Sequence, residues 1–241
     1  MNNVLISQNK HWEKRYEKLY KREIFQKLVK NLSLKHIQVL QGIRRSGKSS
    51  LFKLLINELC LQIDPLEILY INLDDPFFMK YSNEPTGFYE IIQTAKKLTQ
   101  KNIKYLFLDE VQAINGWEKF VKSVYDSEEF IKIFITGSNS SLLNTQFATL
   151  LSGRYISTKI YPLSFSEILE INGIDNFLKL NKELPKVLKL VDDMMTYGSF
   201  VEVYELKDEF KREVLSTYYE TILLKDCVAN NQIRDIKSFK E

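Results

Sequence analysis

Residues 39–52 read VLQGIRRSGKSSLF. The chain has only 8 glycines in 241 residues, yet two of them, Gly42 and Gly47, stand five positions apart and are followed at once by Lys48, Ser49 and Ser50. The octet Gly42-Ile43-Arg44-Arg45-Ser46-Gly47-Lys48-Ser49 satisfies G-x-x-x-x-G-K-[ST], with the apolar run HIQVLQG leading into it and the helix-patterned KSSLFKLLINELCL following it. A strand that ends in such a loop and passes directly into a helix reads as a phosphate-binding turn of an α/β protein, the alternative being a glycine turn that only caps the helix.

Each residue type in the octet has a physical task. Successive backbone N–H groups along a glycine loop point inward and bind a polyphosphate, provided that no bulky side chain intervenes. Gly42 and Gly47 are expected to supply the backbone freedom and close approach that a Cβ obstructs. The helix that follows adds the positive end of its dipole. Lys48 brings a full positive charge to the β and γ phosphates, and the Ser49 hydroxyl is a ligand for Mg²⁺. Ser50 borders the site with no assigned task.

Working outward, LEILYINLDDP, KYLFLDE, IKIFITGSN and YISTKIYPLSF are further short, apolar, β-rich runs of the kind buried on both faces of a parallel sheet. PTGFYEIIQTAKKLTQ and GWEKFVKSVYDS read as the intervening helices, the second with Trp117, Phe120, Val121 and Val124 on one face, so that Trp117 is a core residue. Strands alternating with helices predict an open, parallel, five-stranded α/β sheet flanked by helices. Ser164 and Glu167 have capping-box spacing and start a helix. From about residue 166 the strand signal fades and helical spacing takes over, as in Val214, Tyr218 and Ile222. The expected organisation is a core over residues 1–165 and a helical lid subdomain with a linker helix over residues 166–241.

Hydrolysis needs an acid for the metal and a group to orient water. In YLFLDE, four apolar residues carry Asp109 to the C-terminal edge of a buried strand, where it is expected to hold the Mg²⁺ shell, with Glu110 next to it to polarise the attacking water; an Asp-Glu pair alone is also a common surface feature, and it is the glycine loop upstream that gives this one its reading. The next strand ends in TGSNS, residues 136–140, and its polar tip is a sensor of the γ-phosphate, with Asn139 favoured and Ser138 as substitute; a turn or helix-capping cluster has the same composition. Arg154 in LSGRY either stabilises charge on the transferring phosphoryl group, as an arginine finger in cis or from a neighbouring subunit, or is an ordinary surface ion-pair residue.

Composition adds bounds. The net charge is +3, but residues 1–35 hold nine Lys/Arg against three Glu. There, Trp12, Tyr16, Leu19, Ile24 and Leu28 recur at near-helical spacing and predict an N-terminal basic amphipathic helix between Lys10 and Lys30, which either contacts nucleic-acid phosphates or is a docked helix with a solvated face. Cys60 and Cys227 lack metal-ligand spacing and read as packing residues in a reducing compartment. No apolar run approaches a membrane span and no signal-peptide pattern opens the chain, so a cytoplasmic location without membrane partners is expected. There is no zinc-ligand pattern, catalytic triad signature or acidic nuclease cluster.

GIRRSGKSS, LFLDEVQ, TGSNSSLL and LSGRYISTKIYPLSFSEIL occur in that order over about Leu34 to Leu169. At these residues the chain resembles AAA+-type ATPases of bacteria and archaea that carry a GxRRxGKS/T loop, and the likeness continues less firmly through YETILLKDCVANNQIRD. The resemblance implies a P-loop NTPase with a RecA-like sheet and a C-terminal helical lid, binding ATP with Mg²⁺. It also makes Arg44 and Arg45 a family feature, in contact with the nucleotide or a neighbouring subunit, or else solvated. It implies ATP hydrolysis coupled to a conformational change on a partner, DNA or protein, with homo-oligomerisation expected; the alternative is a nucleotide-gated binding module with little intrinsic hydrolysis. Two departures stand out. Residues 197–204 read YGSFVEVY where such proteins carry YGGFPEVV, and the sequence stops at Glu241 where they extend into a nuclease-like or unassigned domain, as an excised module or a shortened relative does.

Overall fold

The computed structural model describes residues 1–137 and 145–222. The chain forms two compact units, one of Met1–Gly42 with Lys48–Lys159 and one of Ile43–Gly47 with Ile160–Glu241, the latter described through residue 222.

The first unit is built on five parallel strands: β1 (Ile37–Gln41), β2 (Ile68–Asn72), β3 (Tyr105–Asp109), β4 (Lys132–Gly137) and β5 (Tyr155–Lys159), in the spatial order β2-β3-β4-β1-β5. All five coincide with the apolar runs read from the sequence. The helices between them are α3 (Lys48–Leu59), α4 (Gly87–Thr99), α5 (Trp117–Asp126) and α6 (Thr145–Leu150). β1 and β4 are buried along their whole length, as strands covered on both faces must be. Phe107 and Phe134, side by side on β3 and β4, stack with centroids 4.0 Å apart, and Phe52 of α3 meets Phe107 edge-on at 5.1 Å. Each such aromatic pair adds about 0.5–1.5 kcal/mol beyond its area burial, so α3 is fixed firmly on the sheet directly after the loop that precedes it. Around α5, Trp117, Phe120, Val121 and Val124 are buried as expected, with Phe88 of α4 stacked on Phe120 at 4.4 Å.

The N-terminal segment departs from the expected single basic helix. It forms α1 (Asn2–Gln8), a 3₁₀ turn at Lys10–Trp12, an irregular stretch, and α2 (Phe25–Lys30). Two features override the helical spacing. The Tyr16 N–H donates to Asn57 Oδ1 at 3.0 Å and the Tyr16 carbonyl accepts from Asn57 Nδ2 at 2.9 Å, which takes both groups out of any helical ladder. The segment's polar side chains also act as a missing strand along the outer edge of β2. Asn9 exchanges two hydrogen bonds with the backbone of Tyr70 (2.7 and 2.9 Å), Gln8 exchanges two with Asn72 (2.9 and 3.2 Å), and the Trp12 indole donates to the Ile68 carbonyl (2.9 Å). An exposed sheet edge is thereby covered.

The second unit carries α7 (Phe165–Ile171), α8 (Phe177–Lys182), α9 (Leu184–Tyr197), α10 (Val201–Tyr204) and α11 (Asp208–Ile222). The capping box at its entry is present in both directions: the Glu167 N–H donates to Ser164 Oγ (3.2 Å) and the Ser164 N–H to Glu167 Oε2 (2.9 Å). A small core of Leu163, Ile168, Ile174, Val187 and Leu190, with Leu180, Val201 and Tyr204 packed against it, joins α7, α8, α9 and α10. Cys60 is half-buried and burial raises its thiol pKa, as suits a packing residue; Cys227 lies outside the described residues.

Candidate nucleotide-binding site

β1, β4 and β3 are neighbours, and their register sets Leu40 beside Thr136, Gln41 beside Gly137 and Leu108 beside Ile135. The C-terminal ends of the three strands are therefore level. The loop that opens after Gln41, the hydroxyl of Thr136 and the carboxylate of Asp109 all emerge at one edge of the sheet, where open α/β sheets bind their ligands.

The loop runs through Gly42, Ile43, Arg44, Arg45, Ser46 and Gly47 into Lys48, the first residue of α3. Its left-handed positions are Arg45 (φ 64°) and Gly47 (φ 94°). Gly47 thus has the backbone conformation anticipated for it; Gly42 has a negative φ, so the second left-handed position falls instead on an arginine. Ser46 is buried, Ile43, Arg44 and Ser49 are half-buried, and Ser50 is exposed. The Lys48 side chain is only 3% exposed and folds back over the loop, its ammonium donating to the Gly42 carbonyl at 3.0 Å and lying 3.8 Å from Glu110 Oε1.

Asp109 is 1% exposed at the end of β3, and both its oxygens are engaged. Oδ1 accepts from the Thr136 hydroxyl and Oδ2 from the Tyr70 hydroxyl at 2.6 Å. Burial, and next the neighbouring Asp109 carboxylate, hold the Tyr70 phenol far above its usual pKa range, so it stays a donor. The Glu110 N–H donates to Thr136 Oγ1 at 3.0 Å, so one hydroxyl spans both acidic residues. Glu110 itself adopts φ 56°, ψ 50°, a left-handed conformation that costs a non-glycine residue on the order of 1–3 kcal/mol. Its Oε2 accepts from the Gln112 amide.

Asp109 and Ser49 offer hard oxygen donors of the type Mg²⁺ takes, and hydrogen bonds that orient a ligating carboxylate are the usual surroundings of such a ligand. Among the described residues no group of three or more His, Cys, Asp or Glu side chains forms a metal cage.

One of the predicted residues, Arg154, stands apart from this cluster. Asn139 and Ser138 lie outside the described residues. Arg154 sits just before β5, its backbone carbonyl accepting from the N–H of Ile37 at the start of β1 (2.8 Å), its Nε donating to Asp126 (2.9 Å). Because β5 runs parallel to β1 with Tyr155 beside Ile37, Arg154 is level with His36 at the opposite end of the strand from Gly42, a separation of about 20 Å at roughly 3.3 Å per residue. An in-cis arginine finger is incompatible with that placement. Sequence reasoning missed Tyr70, Thr136 and Gln112. Thr136 was legible as the polar residue that ends the apolar run of β4; nothing in the pattern of β2 marks Tyr70.

A parallel sheet whose first strand delivers a G-x-x-x-x-G-K-S loop, with a buried aspartate at the end of a neighbouring strand, defines a P-loop NTPase-type nucleotide-binding fold. The chain belongs to the AAA domain family, AAA+-type P-loop ATPases, whose description matches residues 34–169. It is 34% identical over 225 residues to the uncharacterized protein MJ1544 of Methanocaldococcus jannaschii, covering 92% of this chain and 48% of the relative. It is 35% identical over 216 residues to an uncharacterized protein of Haemophilus influenzae, covering 89% and 52%. The chain spans about half the length of the curated relatives it matches. It is also similar to solved structures of Aeropyrum pernix ORC1 in complex with DNA (16% identity, TM-score 0.46, 69% of this chain and 53% of that one). For AMPPCP-bound DnaA from Aquifex aeolicus the figures are 17%, 0.46, 87% and 62%. Among the described residues no helix is long and apolar enough to cross a membrane.

Proposed function

We propose that the chain is a Mg²⁺-dependent ATPase module of the cytoplasm that couples ATP binding and hydrolysis to a conformational change on a partner, DNA or protein. The observation that carries this reading is the juxtaposition of a nearly buried Lys48 ammonium with Glu110 at 3.8 Å, beside an Asp109 whose two oxygens are oriented by hydroxyls. On arrival of a triphosphate the Lys48 ammonium exchanges the Gly42 carbonyl for phosphate oxygens, and the loop N–H groups take up the remaining charge. Glu110, relieved of the ammonium, accepts a hydrogen bond from water and orients it toward the γ-phosphorus. A magnesium ion held by Ser49 and Asp109 would neutralise charge on the phosphates. The test is a pair of variants. Lys48→Ala is expected to abolish binding of Mg·ATP in calorimetry, and Glu110→Gln to bind it while losing about 10²-fold or more in turnover; undiminished turnover in Glu110→Gln removes that residue's assignment.

A second reading, a nucleotide-gated binding module with little hydrolysis, is favoured by one observation. The Glu110 carboxylate is held by Gln112 and faces Lys48, an arrangement that keeps it from activating water until something draws it away. Single-turnover hydrolysis with and without DNA, over a range of protein concentrations, separates the two. Slow cleavage that neither responds to DNA nor rises with concentration supports the gated module.

A further inference from the structure

The loop places an arginine, not a glycine, at a left-handed position: Arg45 at φ 64°. Glycine would adopt that conformation without strain, so the side chain must be doing something that offsets the cost. Its guanidinium lies over the Tyr218 ring, 4.1 Å from the centroid, and Nη1 donates to Tyr218 Oη at 2.9 Å and to Glu202 Oε2. The Tyr218 hydroxyl in turn donates to the same Glu202 oxygen. Tyr218 is 5% exposed and packs edge-on against Phe200 at 5.6 Å, so the platform beneath the guanidinium is rigid. Burial, reinforced by Glu202, pushes the Tyr218 phenol up to about 12, which keeps it a donor at neutral pH. An ion pair as exposed as Arg45 with Glu202 contributes little alone. Here it is combined with ring stacking and a closed triangle of hydrogen bonds that fixes the planar guanidinium in one orientation.

We propose that Arg45 is a positioning residue: clamped by Glu202 of α10 and Tyr218 of α11, it holds the phosphate loop in its binding conformation and carries the loop's occupancy to α11. The inference rests on the reading of Gly42–Ser49 as a nucleotide cradle. Loop N–H groups bind phosphate only when the dihedrals on both sides of Arg45 are held. A phosphate seated on those N–H groups restrains the same dihedrals further, and with them a side chain whose far end is fixed to a helix, so that occupancy of the loop also orders α11. The relation is reciprocal, so whatever moves α11 alters affinity at the loop.

The experiment measures the Kd of a non-hydrolysable ATP analogue with Mg²⁺ and the amide hydrogen exchange of residues 208–222 with and without it, in the full chain. The wild-type chain is expected to bind and to show slower exchange in α11 on binding. Arg45→Gly keeps the left-handed backbone but removes the guanidinium; it is expected to weaken binding several-fold and to leave α11 exchange indifferent to nucleotide. Glu202→Gln and Tyr218→Leu, which leave the loop sequence intact, are expected to shift both readouts the same way, and combining Arg45→Gly with Glu202→Gln to add nothing further. A nucleotide response of α11 in Arg45→Gly equal to that of the wild type overturns the proposal, as does a wild-type chain that binds tightly with no change in α11. A wild-type chain that binds no nucleotide at all overturns the cradle reading itself, and this inference with it, a result distinct from the other two.

Discussion

Thr136 joins the two acidic residues of the site: its hydroxyl donates to Asp109 Oδ1 and accepts from the Glu110 N–H at 3.0 Å. The hydroxyl thereby gives its single proton to one acidic residue and uses one of its two lone pairs for the other. Thr136→Val preserves shape and strand propensity but leaves the Glu110 N–H without that acceptor. It is expected to cost about 1–3 kcal/mol of stability in urea denaturation and to lower ATP turnover more than ATP affinity, because it frees the backbone that aims Glu110. Thr136→Ser, which keeps the hydroxyl, should recover most of both. A valine variant with wild-type turnover would show that Glu110 is positioned by other means.

Arg154 stands at the far end of β1 from its own phosphate loop, so any part it plays in hydrolysis is played in a neighbouring copy. Removing a transition-state arginine lowers turnover by on the order of 10³-fold, and Arg154→Ala is expected to do so while binding ATP normally. The decisive measurement mixes Arg154→Ala with Glu110→Gln. If one copy completes the other's site, two inactive chains regain activity together, in proportion to association. Persistent inactivity of the mixture, or full activity of Arg154→Ala alone, returns Arg154 to the role of a surface partner for Asp126.

Gly87 opens α4 against the ring of Tyr81, and a Cβ added there would lie 2.2 Å from Tyr81 Cδ1. The ring is buried, and its hydroxyl is tied to Glu90 Oε2 at 2.7 Å, so it has little room to yield. Alanine gains up to about 1 kcal/mol of helix propensity over glycine, but overpacking costs about 1–3 kcal/mol. The clash dominates, and Gly87→Ala is expected to lower the denaturation midpoint; an increase would mean that α4 and Tyr81 separate without penalty.

What the sequence made legible, and what it did not, follows from the range of the interactions. All five strands announced themselves as short buried runs, and the octet at residues 42–49 declared its own loop and helix, because those signals are local. The capping box at Ser164 and Glu167 was equally local. The helix expected between Lys10 and Lys30 failed because Asn57 and the edge of β2, both distant in sequence, claim the polar groups that helical spacing would have used. Arg45 was visible as an oddity, but its partners lie 157 and 173 residues further on, beyond the reach of any periodicity. The Tyr70 contact with Asp109 depends on strand adjacency, which apolar content does not encode.

His11 makes the N-terminal cover pH-sensitive. Its Nε2 faces the Ile68 carbonyl at 3.0 Å, an atom that only accepts, so the neutral ring carries its proton on Nε2; Nδ1 faces the Tyr16 hydroxyl at 3.1 Å. Burial lowers its pKa from 6.5 to about 4, against a smaller upward pull from the Ile68 carbonyl. The folded chain therefore keeps the imidazole neutral down to about pH 4, whereas the unfolded chain protonates near 6.5, and between those values the unfolded state binds the extra proton. Stability is fully present above pH 6.5 and falls as the pH drops toward 4, by about 3 kcal/mol from this residue alone. Urea denaturation midpoints at pH 7.5, 5.5 and 4.5 should decline accordingly. His11→Gln retains a side-chain amide to donate to Ile68 but cannot titrate, so its midpoint should fall distinctly less over the same interval. If the variant loses stability as steeply as the wild type, the acid sensitivity resides in the carboxylates, and the imidazole is solvated in the folded chain.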